Sequence, residues 1–481
     1  MKLSDLLYEN EYISSDVEMG IDIEKISIAP GIYDEKTVLI IQSQGHADNL
    51  QSAPIPAVTI CGAKTVLPDN FPTIRVNNPR LTAAYIYFRF ENLSLENIKI
   101  IGITGTNGKT STAFFTKSIL TSCGYKVGYI GTGKIEINGK SIEDKYYSMT
   151  TPDPPLLYKS LKEMEKAGCQ AIVMEVSSHS LALDKVAPIK FDYGVFTNLS
   201  AEHLDFHKNE DEYFLAKRKL IAKCNKAIIN IDDPAGARLY DEFSQKSISA
   251  GVIWRGNVWA GTIERHGISG CSYMYHGKNF SYKAMLCVPG YYNIYNSMLA
   301  STVCIDMDIK PCDVKTAVEN INHIPGRFEV LKDGVTAIID YAHTQEAFYN
   351  IMKELSQIKA DGKLWVVFGC GGERDKGKRP KMAETAEKYA DRITVTTDNS
   401  RKENPNDIIS DIIKGFTSKN YDINLDRAMA IRNAIVKSDE NDIVAVIGKG
   451  AEGYNIDMSG YSDFNEKEII KAALDERRRD S

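Results

Sequence analysis

One stretch constrains this chain more than any other. Residues 102 to 112 read Gly-Ile-Thr-Gly-Thr-Asn-Gly-Lys-Thr-Ser-Thr, directly after the apolar run Ile98-Lys99-Ile100-Ile101 and directly before the helix-like stretch Ala113 to Cys123. A strand, a glycine turn and a helix start make a phosphate cradle. The glycines bring backbone N–H groups close to an anion, and the helix N-terminus adds its partial positive charge. Lys109 then reaches β- and γ-phosphates and the Thr110 hydroxyl holds Mg²⁺, with Gly105, Thr106, Asn107, Gly108 and Ser111 completing the loop. The expectation is a chain that uses ATP and Mg²⁺; the alternative is a glycine turn that binds nothing.

At ~150 residues per domain, 481 residues suggest about three domains. A hydrophobic fraction of 43% with 25% charged residues describes an ordinary globular chain. The net charge of −6 lacks the basic footprint of a nucleic-acid binder. The 9 cysteines run from Cys61 to Cys370 without a C-x-x-C pair, so they suggest neither a disulfide framework nor a zinc site. No run approaches ~18 apolar residues, and the start Met1-Lys2-Leu3-Ser4-Asp5 lacks a cationic apolar leader. A cytoplasmic protein is expected, with no membrane partner.

Residues 1–97 hold short apolar runs such as Thr37 to Ile41, broken by Pro and Gly, and one helix-like stretch from Leu81 to Phe90. They read as a small α/β module. Residues 98–326 alternate helical patterns with continuous apolar runs (Ala171 to Met174, Tyr193 to Thr197, Ala227 to Asn230), the pattern of parallel strands buried on both faces. Residues 327–481 repeat the alternation at Ala337 to Asp340, Leu364 to Phe368, Ile393 to Thr396 and Ile443 to Ile447. The predicted fold class is α/β in three domains, the central one a doubly wound P-loop sheet and the last Rossmann-like, with ligands at the carboxyl ends of the strands.

At those strand ends stand Glu175, in Glu175-Val176-Ser177-Ser178-His179, and His203, in Asn198 to His207. A carboxylate and an imidazole facing one cleft can hold a second Mg²⁺, although an oxygen-loving ion seldom selects histidine. A hydrogen-bonded structural His203 is the alternative. Lys217 falls on the amphipathic stretch Tyr213 to Leu220 and reads equally as a solvated helix lysine.

The loop Thr104-Gly105-Thr106-Asn107-Gly108-Lys109-Thr110 has Ile103 where the usual phosphate-loop spacing wants glycine, and this variant resembles that of the Mur ligases and folylpolyglutamate synthetases. Glu175 to His179, Asn198 to His207, Ala216-Lys217, Gly290 to Asn296, Gly326 to Glu329, Asp340 to His343 and Gly371 to Asp375 follow in the order and spacing of Mur ligases, over roughly residues 98 to 456. The pattern looks most like the MurE type. That resemblance implies three domains, for UDP-sugar (1–97), ATP (98–326) and the incoming amino acid (327–481). It implies that Lys109, Thr110, Glu175 and His203 serve phosphate and metal, and that Lys217 matches a lysine the family carbamylates. Asn293 and Asn296 match positions on the adenine side of ATP, and Arg327 and Asp340 those at its phosphates and ribose. Gly326-Arg327 also stands where a hinge belongs.

The implied reaction is addition of meso-2,6-diaminopimelate to the γ-carboxylate of D-Glu in UDP-N-acetylmuramoyl-L-alanyl-D-glutamate, through an acyl phosphate, by a monomer. In the family, Asp-Asn-Pro-Arg marks diaminopimelate addition, and this chain reads Asp398-Asn399-Ser400-Arg401. Arg401 and Arg374 can pair with the distal carboxylate, Asp398 and Glu452 can accept the ammonium, and Gly448 lies in the same pocket. Ser400 replaces proline, Ala451 a histidine and Asn455 a glutamine, so a related diamino acid such as L-lysine stays open, as does a surface role for Arg401. A nucleotide switch without an amino-acid pocket is the reading from another class.

Gln44-Gly45-His46 keeps a uridine-side motif, while Ile28-Ala29-Pro30-Gly31 stands where MurE-type enzymes usually show Asp-Ser-Arg. That departure removes polar partners for UDP. Thr150, Thr151 and Ser177 match positions holding the muramoyl peptide, and Lys185 replaces the commoner arginine, keeping charge but losing the fork.

Overall fold

The computed structural model describes residues 1–50, 54–200, 202 and 206–480. Its strands fall into three large sheets and one small hairpin. The first sheet has five strands, ordered Ser14–Ser15, Thr73–Val76, Val58–Gly62, Thr37–Ile40 and Lys25–Ser27, parallel except at the Ser14–Ser15 edge. The Pro79–Phe90 helix packs on it. Asn78 accepts a hydrogen bond from Leu81 N and Pro79 occupies the first turn, so both cap signals are local.

The central sheet has eleven strands. Its middle is parallel, running Val258–Arg265, Ser247–Gly251, Lys226–Asn230, Tyr193–Phe196, Lys99–Thr104, Ala171–Glu175 and Val127–Gly131. The expected doubly wound sheet is there, but it is extended on both edges by antiparallel strands that the sequence reading missed. Cys271–His276 and Ser281–Leu286 lie on one side, Lys134–Ile137 and Lys140–Ser141 on the other. Edge strands face water on one side, and Ser281–Leu286 buries little beyond Ala284 and Leu286, so no continuous apolar run announces it.

Residues of each central strand alternate between two cores. Ile101, Ile103, Val173 and Val195 pack in one; Ile100, Ile172, Met174 and Phe196 pack in the other. The third sheet behaves alike, with Ile338, Val366 and Ala445 on one face and Ala337, Val367 and Val446 on the other. Its order is Glu329–Asp333, Val335–Asp340, Ile443–Ile447, Leu364–Phe368, Arg392–Thr396 and Asp422–Asn424, parallel except for the first.

In the central sheet the chain winds from Lys99–Thr104 first to one side and then back to Tyr193–Phe196 on the other. The switch point therefore opens beside the glycine loop, where such sheets hold ligands. Among the described residues no helix is long and apolar enough to cross a membrane.

Candidate active site

The phosphate loop is stitched to the next strand end. Asn107 N donates to Asn198 Oδ1 at 2.9 Å, and Thr197 Oγ1 and Asn198 Nδ2 donate to Asn107 O at 2.6 and 3.0 Å. A side chain at Gly105, whose φ is +151°, would place its Cβ 1.8 Å from Thr197 Oγ1, so glycine is required there. The helix begins at Lys109, a turn before the apolar pattern at Ala113, because Gly108 takes φ +83° and turns the chain into it. Lys109, Thr110 and Ser111 thus sit at the positive end of a 14-residue helix. Beneath them, Thr112 Oγ1 donates to Asn296 Oδ1 at 3.2 Å, and Asn296 Nδ2 to Asn293 Oδ1 at 2.9 Å. Both asparagines are buried and tie the Tyr292–Asp306 helix to the loop.

Glu175 is the hub. It is fully buried at a strand end, and its carboxylate accepts from Thr110 Oγ1 at 2.9 Å, Tyr129 OH at 3.0 Å, and Thr132 N and Oγ1 at 3.0 and 3.2 Å. Thr151 Oγ1 donates to Glu175 O at 2.9 Å and accepts from Ser177 N at 3.1 Å, while Thr150 and Thr132 hydroxyls meet at 3.0 Å. The structure thus gathers Thr110, Glu175, Thr150, Thr151 and Ser177 around one point. Mg²⁺ takes oxygen ligands, so the Thr110 hydroxyl and the Glu175 carboxylate fit that ion, the carboxylate's charge offsetting the positive helix end. Among the described residues no group of three or more His, Cys, Asp or Glu is placed for a metal, and His203 lies outside the described residues.

Lys217 is 1% exposed, which rules out the solvated reading. Its Nζ donates to Gly105 O at 2.6 Å and sits 4.5 Å from the Tyr213 ring centroid. Lys109 Nζ donates to Gly105 O and Thr106 O at 3.0 and 2.8 Å. Two lysines therefore share one carbonyl. Burial, and then the Lys109 charge, push the Lys217 amine well below its ordinary range. Burial lowers Lys109 as well, against the pull of Glu175.

The third sheet reaches this centre through Arg327, whose Nη2 donates to Thr110 Oγ1 at 3.0 Å while its guanidinium stacks 4.1 Å from the Tyr341 ring. Asp340 accepts from Phe328 N and Ala342 N, both at 2.7 Å, so its buried carboxylate fixes the backbone that aims Arg327. Burial raises its pKa. Asn107 Nδ2 adds a second bridge, to Glu346 Oε2 at 3.0 Å.

At the carboxyl edge of the third sheet, Asn399 Nδ2 donates to Glu452 Oε2 and Lys449 Nζ to Asn399 Oδ1, each at 2.8 Å. Burial alone would raise Asp398, yet Lys449 and Arg427 hold its carboxyl below the usual range. Glu452 is raised by burial in spite of Lys449. Gly448 lies so close that a Cβ there would fall 2.7 Å from Asp398 Oδ2. Arg401 sits at φ +54°, its N–H on Ile456 O at 3.0 Å and its Nη1 on Gly372 O at 2.9 Å. The loop with Ser400 in place of proline is therefore pinned from outside itself. Arg374 is exposed on the facing loop.

Two residues that sequence reasoning passed over organise this pocket. Lys449 is wholly buried between Asp398, Asn399 and Glu452. Arg379, also wholly buried, forks onto Glu403 at 2.8 Å twice and reaches Asp411 at 3.0 Å, and Glu403 in turn accepts from Glu373 N. A lysine one glycine beyond the apolar strand Ile443–Ile447 was a usable signal; an arginine inside a charged helix was not.

In the first module, Gln44 pairs with the Val66 backbone in both directions, at 3.0 and 3.1 Å, and Gly45 is exposed. The buried Nδ1 of His46 has no hydrogen-bond partner among the described residues. Lys185 pairs with Asp153 at 2.6 Å, next to Asp184, which accepts from Asn78 of the first module at 3.0 Å.

Residues 103–304 match the family model of the Mur ligase middle domain, and residues 326–450 that of the Mur ligase glutamate ligase domain. The UDP-N-acetylmuramoyl-L-alanyl-D-glutamate–2,6-diaminopimelate ligase of Clostridium tetani is 34% identical, over 99% of this chain and 100% of that protein. The protein of the same name from Clostridioides difficile is 35% identical over 98% and 99%. Among solved structures, a diaminopimelate ligase of that name aligns with a TM-score of 0.68 at 22% identity over 99% of both chains. The folylpolyglutamate synthase of Mycobacterium tuberculosis, complexed with ADP and AMPPCP, aligns at 0.65 and 18% identity over 76% of this chain and 92% of that one. With relatives this similar along its whole length, the chain belongs to the Mur ligase family.

Proposed function

We propose that this chain is an ATP-dependent ligase that adds meso-2,6-diaminopimelate to the γ-carboxylate of D-Glu in UDP-N-acetylmuramoyl-L-alanyl-D-glutamate, a step of peptidoglycan precursor synthesis, working as a cytoplasmic monomer. One observation carries the reading: Thr110 of the phosphate loop, Glu175 of the neighbouring strand and Arg327 of the third sheet converge on a single hydroxyl. An acid-activating centre needs this convergence, since one anion must be brought onto another.

A carboxylate is a poor electrophile. In the proposed mechanism an oxygen of the D-Glu γ-carboxylate attacks the γ-phosphorus of ATP, ADP leaves, and the acyl phosphate results. Lys109 and Arg327 offset charge on the phosphoryl oxygens, and the helix N-terminus contributes its backbone N–H groups. Mg²⁺, held by Thr110 and Glu175, supplies further positive charge when bound. The amino acid's nitrogen then attacks the acyl carbon, and the tetrahedral intermediate collapses with loss of phosphate. Thr150, Thr151, Ser177 and Lys185 hold the peptide, and Gln44, Gly45 and His46 the nucleotide end. Lys217, whose burial beside Lys109 disfavours the charged ammonium and so favours the amine that CO₂ adds to, is the carbamylation site, and the carbamate places an anion beside Lys109. Asn293 and Asn296 support the adenine side, Asp340 the ribose side.

Diaminopimelate differs from lysine by a distal carboxylate, and Arg401 with Arg374 answers that group. Asp398, Asn399, Gly448 and Glu452 face the ammonium. The test incubates the enzyme with ATP, Mg²⁺, the nucleotide dipeptide and each amino acid separately, and measures phosphate release and product mass. Turnover with diaminopimelate and not lysine is expected. Turnover with lysine alone overturns the substrate assignment, and ATP hydrolysis indifferent to dipeptide and amino acid overturns the ligase.

A further inference from the structure

The two-stranded hairpin Tyr454–Asp457 and Gly460–Asp463 belongs to none of the three large sheets. One of its sides builds the amino-acid pocket: Ile456 N donates to Asn399 Oδ1 at 3.0 Å, and Arg401 N donates to Ile456 O at 3.0 Å. The Tyr454 ring lies 5.8 Å from Lys449 Nζ. Its other side meets the central domain. Tyr146 stacks on Tyr461 with centroids 5.1 Å apart and planes at 26°, and stands edge-on to Tyr454 at 6.4 Å. Tyr454 and Tyr461 are themselves 5.5 Å apart. Asp463 accepts from Lys145 Nζ at 2.8 Å and Tyr146 OH at 3.2 Å.

The segment carrying Lys145 and Tyr146 runs within a few residues into the acid-activating centre. Met149 O accepts from Gly133 N at 3.1 Å, Thr150 meets Thr132, and Thr132 holds Glu175. From the resemblance alone these tyrosines have no role. The ion pair between Lys145 and Asp463 is solvent-exposed and screened, so it contributes little, whereas stacked rings gain beyond the area they bury. The stacked rings therefore outweigh the charges here.

We propose that Tyr146 and Tyr461 form a clasp that closes the amino-acid pocket onto the central domain, making them positioning residues that set the distance between the incoming nitrogen and the activated acid. The inference rests on the ligase reading for its consequence, but not for the contact itself. Loss of the clasp leaves each half-site intact and lets the halves separate, and misplacement by ~1 Å can cost ~100-fold in rate.

Hydrogen exchange of residues 454–463 is measured first on the full chain without substrates, for the native protein and Tyr146→Ala. Exchange at least ~10-fold faster in the variant is expected; unchanged exchange overturns the clasp. Steady-state kinetics then compare Tyr146→Ala, Tyr461→Ala, the double variant and Tyr146→Phe. Each alanine variant is expected to lower kcat/KM for the amino acid ~10–100-fold with the KM for ATP unchanged. The double variant should be no worse than either single one, and Tyr146→Phe, which keeps the stack, should stay within ~3-fold of the native rate. Multiplying effects in the double variant, an equal rise in the ATP KM, or a Phe variant as impaired as Ala overturns the positioning role. A native protein that ligates no amino acid at all counts against the ligase reading, while the exchange result still decides the clasp.

Discussion

Thr110 Oγ1 and Glu175 Oε2 lie 2.9 Å apart, one in the first turn of a helix and the other at the end of the strand paired with the one that precedes it. Glu175 stands in register with Ile103, so the parallel pairing itself delivers its carboxylate to the phosphate loop. Arg327 completes the arrangement from a separate sheet.

Glu175→Gln keeps the shape and replaces an acceptor oxygen by a donor facing Thr110, Tyr129 or Thr132. A drop in kcat of ~10²–10³ is expected, the scale of losing one preorganised electrostatic partner. Thermal melts should show a smaller cost of ~1–3 kcal/mol for the mismatched hydrogen bonds. Initial-rate assays at saturating Mg²⁺ check it; a rate within ~3-fold of native would remove Glu175 from the centre.

Arg401→Ala tests selectivity. Removing the partner of a desolvated carboxylate costs ~2–5 kcal/mol, so the KM for diaminopimelate should rise ~10²-fold or more, with the KM for ATP unchanged. Lysine, which lacks the distal carboxylate, should respond little. Parallel titrations of both amino acids give the answer, and equal losses for the two would show that Arg401 shapes the loop only.

Lys217 has a pH signature. Its folded pKa lies below the ordinary 10.5, so below that value the unfolded chain binds a proton that the folded chain resists. The group therefore costs stability at neutral pH, and the cost fades as pH rises toward 10.5. In CO₂-free buffer Lys217→Met should melt ~2–4 °C higher at pH 7, with the gain shrinking by pH 10. Activity should fall ~10²-fold or more if the carbamate serves the site. Carbon-13 NMR in labelled bicarbonate reports whether the native amine takes up CO₂.

Arg427 and Glu466 form a buried pair at 2.6 Å, with Arg427 also donating to Thr397 O and Ile447 O. Arg427→Met strands a buried carboxylate and should cost ~3–5 kcal/mol. Burial already raises Glu466, so the deficit should narrow in acid, where the carboxyl takes a proton. Urea titrations at pH 5 and pH 8 compare the two conditions, and an equal loss at both would argue that packing, not charge, is responsible.

Legibility divided along the range of the forces involved. The parallel strands, the helix-like stretch from Leu81 to Phe90 and the phosphate loop are local events, written in runs of neighbouring residues and in single glycines, and they are readable from the chain alone, whereas the Asn78 cap and the start at Pro79 came from the structure. The antiparallel edge strand Ser281–Leu286 is not readable in this way, because a half-exposed strand buries only scattered positions. Lys217 shows the boundary plainly. Its amphipathic helix is evident from sequence, yet the spacing fits a solvated lysine as well as a buried one, and only packing against Gly105 and Tyr213 decided between them.

Sequence by itself determined that this is a three-part α/β chain with a phosphate loop at a strand end, since backbone geometry and burial of apolar runs follow from local order. Tertiary structure alone decided that Thr110, Glu175 and Arg327 share one point, that Lys449 and Arg379 are buried against acidic partners in the third sheet's domain, and that Tyr146 meets Tyr461. Those partners lie tens to hundreds of residues apart, and only folding brings their side chains within range of hydrogen bonds and stacking.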